Sequence, residues 1–182
     1  KEFECGDLLY DERDGQYYET VQIGDQCWMA ENLNVGERID GVVGMTDNGV
    51  IEKYCYDDDP ANCEIFGGLY DWEECMNYIV LDSAGICPTG WEIPSLLDFT
   101  TLIDFNGGED QAGGVLKSTG TIESGTGLWF SPNTGATNES KFSCIGAPHR
   151  FFQNGGYYDY GVHSNMWSST DMNGNDAYDF LV

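Results

Sequence analysis

Apolar and polar positions first fall into a regular pattern along "GQYYETVQIGDQCWMAENLNV", residues 15–35. β-Branched and aromatic residues alternate there with polar ones, the period of a half-buried strand. Gly24-Asp25 interrupts the alternation and predicts a hairpin between two short strands. Residues 1–35 therefore read as strands. Residues 36–67 carry loop signals instead: Gly41, Gly44, Asn48-Gly49 and the run Asp57-Asp58-Asp59-Pro60. The period then changes. Leu69, Trp72, Met76 and Ile79 recur three and four residues apart, which predicts a helix over 68–80 with those four side chains on its buried face. A second helix is expected to start at Ser95, with Asp98 three residues on completing a capping arrangement. It would turn Leu96, Phe99, Leu102 and Ile103 to the core and stop at Gly107-Gly108. From 113 to 182 the chain is rich in glycine and aromatics and reads as short strands and long loops. Together these elements predict one α+β domain over 1–182, with two helices packed on a twisted antiparallel sheet.

Charge narrows the partners. The chain has 32 acidic and 7 basic residues, a formal net charge of -25. Such a surface has no counterion-release term to drive binding to nucleic acid, and it is repelled by anionic membranes. No stretch reaches the ~18 consecutive apolar residues that a membrane-spanning helix needs. Neutral partners such as glycans, or divalent cations, suit the charge better.

The seven cysteines show no CxxC spacing, and the two histidines, His149 and His163, lie at no zinc-finger distance from them. Disulfides in an oxidising compartment are the expected use, so the chain reads as secreted, with any leader removed. For calcium, "DMNGND" offers Asp171, Asn173, Asn175 and Asp176 as hard oxygen donors around Gly174, although a plain Asn-Gly turn explains the segment equally well. Asp57-Asp58-Asp59 is a weaker set. "GGYYDYG" carries Tyr157, Tyr158 and Tyr160, whose rings could stack on sugars or pack as an ordinary strand pair. Asn138 opens a glycosylation sequon, and Asp82-Ser83-Ala84 resembles a bacterial O-glycosylation signal on Ser83. Neither histidine is joined by a GxSxG elbow, and with so many acids a carboxylate pair carries no information. No catalytic residue is assigned, and the chain is expected not to be an enzyme.

Four segments follow one another in a recognisable order: "DERDGQYYETVQIGDQCWMAENLNVG", "FGGLYDW", "GICPTGWEIPS" and "MWSST". They resemble the Fibrobacter succinogenes major paralogous domain over nearly the whole chain. The resemblance implies an extracellular bacterial domain with a C-type-lectin-like fold. Independently of it, Trp28, Trp72, Trp91 and Trp167, large aromatics near Gly and Pro, read as core anchors, with ligand stacking as the alternative. Asn32 would satisfy loop backbone with its amide, and Pro88 and Gly90 would turn Trp91 inward.

The sequence departs from that family in three places. "KFSCIGAPH" puts Cys144 at an apolar position, Cys75 stands where methionine is usual, and the final strand ending in a "SVRC"-like motif is missing after "AYDFLV". Six cysteines permit 15 pairings, and the resemblance narrows them to Cys5–Cys27, Cys55–Cys63 and Cys75–Cys144. Cys87 is left unpaired, or paired with a missing tail or a neighbouring copy. An exposed sheet edge would then invite self-assembly into a filament. The resulting expectation is a structural or adhesive surface domain that contacts other copies or surface glycans. The alternative is a calcium-dependent carbohydrate-binding module.

Overall fold

The computed structural model describes residues 2–79, 83–172 and 177–182. Its strands are short and pair two by two. β1 (Leu9–Asp11) lies against β2 (Gln16–Tyr18), β3 (Thr20–Ile23) against β4 (Gln26–Met29), and β5 (Glu37–Arg38) against β6 (Glu52–Lys53). β7 (His149–Arg150) pairs with β8 (Tyr157–Tyr158), and β9 (Asn165–Asp171) with β10 (Ala177–Leu181). All are antiparallel except β5 with β6. The α+β class holds, but the single twisted sheet is corrected: among the described residues five separate ladders replace it. Most strands have only two to four residues, and turns or loops cut each ladder short before a third strand can add.

The 20–29 hairpin forms across Gly24-Asp25, with Val21 opposite Trp28. β10 pairs along β9, so the segment after "WSST" supplies a strand to this two-stranded ladder.

Among the described residues four α-helices accompany the ladders: α1 (Pro60–Phe66), α2 (Trp72–Cys75), α3 (Leu96–Phe105) and α4 (Glu109–Leu116). α3 begins where its cap places it. The Asp98 amide donates to Ser95 Oγ at 3.2 Å and the Ser95 amide donates back to Asp98 Oδ2 at 2.8 Å. Phe99 and Leu102 are buried and Ile103 packs partly against them, whereas Leu96 is exposed. The helix expected over 68–80 is corrected to the single turn of α2. Asn77 and Tyr78 take left-handed backbone angles (φ 53° and 56°), which no α-helix continues through. Trp72 and Met76 are buried as expected, but Ile79 is exposed. α1 and α4 fall where loops or strands were expected. α1 starts on Asp59, whose carboxylate accepts from the Ala61 amide at 2.9 Å, with Pro60 in the first helical turn. No described helix is long and apolar enough to cross a membrane.

The main core joins the hairpin to the helices. Ile23, Trp28, Phe99, Leu102, Ala112, Leu116, Trp129, Phe142 and Cys144 form one buried cluster, with Phe180 of β10 stacked on Phe99 at 4.6 Å. Of the four tryptophans expected inside, Trp28 and Trp72 are buried. Trp91 is half-buried, its ring edge-on to Phe3, and Trp167 is more exposed still. The buried indole not singled out from the sequence is Trp129, which donates from Nε1 to the Cys144 carbonyl at 3.0 Å.

Candidate functional site

The segment His149–Tyr158 folds back on itself because it reads strand, turn, strand. His149 pairs with Tyr158 and Arg150 with Tyr157. Between them the Gly155 amide donates to the Phe151 carbonyl at 2.9 Å, and the Gly156 amide donates to Asn154 Oδ1 at 2.8 Å. Side chains alternate faces along a strand, so the pair Arg150 and Tyr157 turns one way and the pair His149 and Tyr158 the other.

The inward face is locked by charge. The Arg150 side chain is 7% exposed. Its Nε donates to the Gly41 carbonyl at 2.7 Å, its Nη1 lies 3.3 Å from Asp71 Oδ1, and its guanidinium sits 4.0 Å over the Tyr54 ring. Tyr157 donates from its hydroxyl to Asp58 Oδ1 at 2.8 Å. Burial, then that carboxylate, pushes the phenol far above its ordinary pKa, so it stays a donor. Burial also raises the Asp71 carboxyl, with the Arg150 charge opposing it. The hairpin tip presses on the backbone of residues 41–42. A Cβ on Gly155, which has φ +68°, would lie 2.2 Å from the Gly41 oxygen, so only glycine fits.

The outward face is aromatic. Phe151 is 39% exposed, Phe152 72% and Tyr158 46%. The Phe151 ring lies 5.6 Å from Phe152 and 6.3 Å from Tyr158, and His149 stands 6.1 Å from Tyr158. Polar groups rim the rings: the Asn154 amide donates to the Tyr158 hydroxyl at 3.0 Å, and His149 Nδ1 is 3.4 Å from Asp159 Oδ2. A rigid apolar patch with hydrogen-bonding groups at its border can hold a flat, uncharged, partly apolar ligand.

Of the three tyrosines proposed to stack on glycans, the structure presents one. Tyr158 faces outward, Tyr157 is spent on Asp58, and Tyr160 packs at 5.4–5.8 Å from Phe66, Tyr56 and Phe130. Phe151 and Phe152 belong to the patch and were missed from the sequence, although "HRFFQNGGYY" carries a hairpin signature around Asn154-Gly155.

The other site residues are used as follows. Asp171 ends β9 opposite Ala177, whereas Asn173, Asn175 and Asp176 lie outside the described residues. Among the described residues no three His, Cys, Asp or Glu side chains gather as metal ligands. The acidic run is instead structural. Asp58 Oδ1 accepts from the Gly41 amide at 2.7 Å as well as from Tyr157, and Asp59 caps α1. Asn138 Oδ1 accepts from the Ser143 amide at 3.0 Å while its Nδ2 donates to Ser143 Oγ at 3.1 Å. Ser83 donates to the Met76 carbonyl at 3.2 Å and accepts from the Gly85 amide at 3.0 Å. Asn32 Nδ2 donates to the Phe66 carbonyl at 2.8 Å, joining the loop after β4 to the end of α1.

Disulfides join Cys5 to Cys27 and Cys55 to Cys63. The pairing of Cys75 with Cys144 is corrected: both thiols are free and buried, and Cys87 is free as well. Cys144 is held in the main core, its amide donating to the Leu116 carbonyl at 3.0 Å. Cys75 ends α2, where its carbonyl accepts from the Ile86 amide at 2.9 Å. The two sulfurs therefore have different surroundings, and burial raises the pKa of each, Cys144 to about 11.

No curated protein and no solved structure matches the chain. The model of one family, the Fibrobacter succinogenes major domain, matches residues 21–181, which takes in all but the first residue of the 20–29 hairpin and the whole 149–158 hairpin. The chain belongs to the Fibrobacter succinogenes major domain family.

Proposed function

We propose that this is a non-catalytic, extracellular adhesive domain that binds neutral surface glycans on the outward face of the 149–158 hairpin. The observation that carries the reading is the group of three solvent-facing rings, Phe151, Phe152 and Tyr158, on a backbone locked from behind by Arg150. Sugar rings present apolar C–H faces that stack on such side chains, and their hydroxyls suit the Asn154, Tyr158 and Asp159 groups alongside. A net charge of -25 selects against acidic glycans. The two disulfides fit an oxidising compartment, and helices packed beside short antiparallel ladders are compatible with a C-type-lectin-like arrangement.

A panel of neutral and acidic polysaccharides tests this directly. Retention on a neutral member, lost about tenfold or more on Phe152→Ala and unchanged by EDTA, is the expected result, because a stacking contact of about 1.4 kcal/mol needs no cation. Retention only on acidic members, or equal retention by wild type and Phe152→Ala, would overturn it. Loss of retention in EDTA would restore the calcium-dependent module.

A second reading, self-association into a filament, is favoured by the β9–β10 ladder. β10 pairs with β9 on one side only among the described residues, and Leu181 and Tyr178 are exposed along it. Electron microscopy of the purified chain separates the two readings: filaments lost on Leu181→Lys support assembly, and a monomer at every concentration rejects it.

A further inference from the structure

Three cysteines remain outside the two disulfides, and their surroundings differ. The carbonyl of Cys75 accepts the Ile86 amide at 2.9 Å, so Cys87 follows immediately after the residue hydrogen-bonded to Cys75. The approach is close. A Cβ on Gly85 would lie 2.3 Å from the Cys75 oxygen, and Arg13 Nη1 fixes the other side of the strap by donating to the Ile86 carbonyl at 2.8 Å. Cys144 has none of these neighbours. Its backbone is tied to Leu116, Ser118 and Trp129 in the main core.

We infer that Cys75 and Cys87, both reduced in this structure, close to a third disulfide on oxidation, which shuts the 75–87 loop within one chain and leaves Cys144 as the single thiol. The electrostatic surroundings agree: after burial, Cys87 is among the groups that lift the Cys75 pKa. The oxidant is a disulfide, either a small one such as oxidised glutathione or that of a thiol oxidoreductase. Burial pushes the Cys87 thiol up to about 12, with Arg13 opposing it, but Cys87 is the less buried of the two, so once deprotonated it makes the first attack. It forms a mixed disulfide and releases one sulfur of the oxidant as a thiol. The Cys75 thiolate then displaces the second. Two S–H bonds and the oxidant's S–S bond are broken, one S–S bond forms in the protein, and two electrons and two protons end on the oxidant's two thiols. This inference is independent of glycan binding.

The test is peptide mapping of wild-type chain in which Cys5–Cys27 and Cys55–Cys63 are closed, alkylated in denaturant without reduction. One adduct, on Cys144, and a cross-linked peptide joining Cys75 to Cys87 are the expected result. Adducts on both Cys75 and Cys87, a peptide joining Cys75 to Cys144, or Cys87 bonded to a second chain would each overturn the assignment. Thermal melting adds a coupling readout. Cys75→Ser, Cys87→Ser and the double variant should all lower Tm by the same amount, about 5–10 °C for a loop of this size. Additive losses in the double variant would contradict the bridge.

Discussion

The main core and the 149–158 hairpin sit in one chain and are held by opposite means. Around Trp28, Phe99, Leu102 and Trp129 the contacts are apolar, non-directional and redundant, since each side chain touches several others. Around the hairpin, one guanidinium spans three segments: it meets Gly41 in a loop, Asp71 before α2 and the Tyr54 ring after β6. The first region tolerates reshaping at the cost of stability. The second depends on a few directional contacts, chief among them a guanidinium whose planar geometry a lysine cannot copy. A binding surface built on the second region inherits precise placement, because its outer rings ride on a strand pair whose inner face has one arrangement.

Substitutions can break this contrast, and the largest effect belongs to the core. Leu102→Ala leaves a cavity between Phe99 and the 20–29 hairpin and should cost about 3–5 kcal/mol, read as a lower urea midpoint, with no change specific to residues 149–158. Arg150→Ala strips the charge partner from Asp71 and should cost about 3 kcal/mol. Arg150→Lys should recover less than half of that, and amide exchange should rise at residues 150–157 while α3 stays protected. Full recovery by lysine would show that charge alone holds the hairpin.

The third effect is tied to pH. Asp11 is buried, accepts from Arg13 Nε at 2.8 Å and lies 2.5 Å from Nη2, and the Arg13 hydrogen bond pulls its carboxyl below the ordinary 3.8. A carboxyl lowered in the folded state binds fewer protons there than in the unfolded chain. Its contribution is therefore complete above the unfolded value and is lost as pH falls through the folded one. Asp11→Asn should lower stability at pH 7 by about 1–3 kcal/mol, read from urea unfolding, and the difference should shrink as pH falls through the folded value. Ser95→Ala removes one cap of α3 and should cost about 1 kcal/mol. Smallest of all, Phe152→Ala should change stability by less than about 0.5 kcal/mol, since the ring is 72% exposed, while lowering glycan retention. That separation of stability from binding is the sharpest test of the difference between the two regions.

What could be read from the sequence was what local chemistry specifies. The start of α3 followed from Ser95 and Asp98, and the 20–29 hairpin from alternation around Gly24-Asp25, because both signals act within a few residues. α1 is equally local, with Asp59-Pro60 as its cap and first turn, but by composition an acidic run before proline also matches a loop or a cation site. α4 could not be read this way. Its Gly113-Gly114 pair opposes helix formation, and the reason for Gly114 is distant: a Cβ there would lie 2.4 Å from the Gly135 oxygen. Helix 68–80 was overextended because periodicity does not register the left-handed turn at Asn77 and Tyr78. The aromatic patch was half legible. The tyrosines drew attention as residue types, but only the pairing of His149 with Tyr158 shows which one faces out and which phenylalanines join it.

Gly155 sits where the hairpin tip meets the backbone of residues 41–42, with no room for a side chain. Together with Arg150 and Tyr157 it makes the rear of the hairpin a fixed socket. Positions 151, 152 and 158 are exposed and make none of the contacts of that socket, so they can be substituted without disturbing it. The frame and the exposed rings are thus separable parts, and a library varied only at those three positions would change the outer surface without resampling the fold.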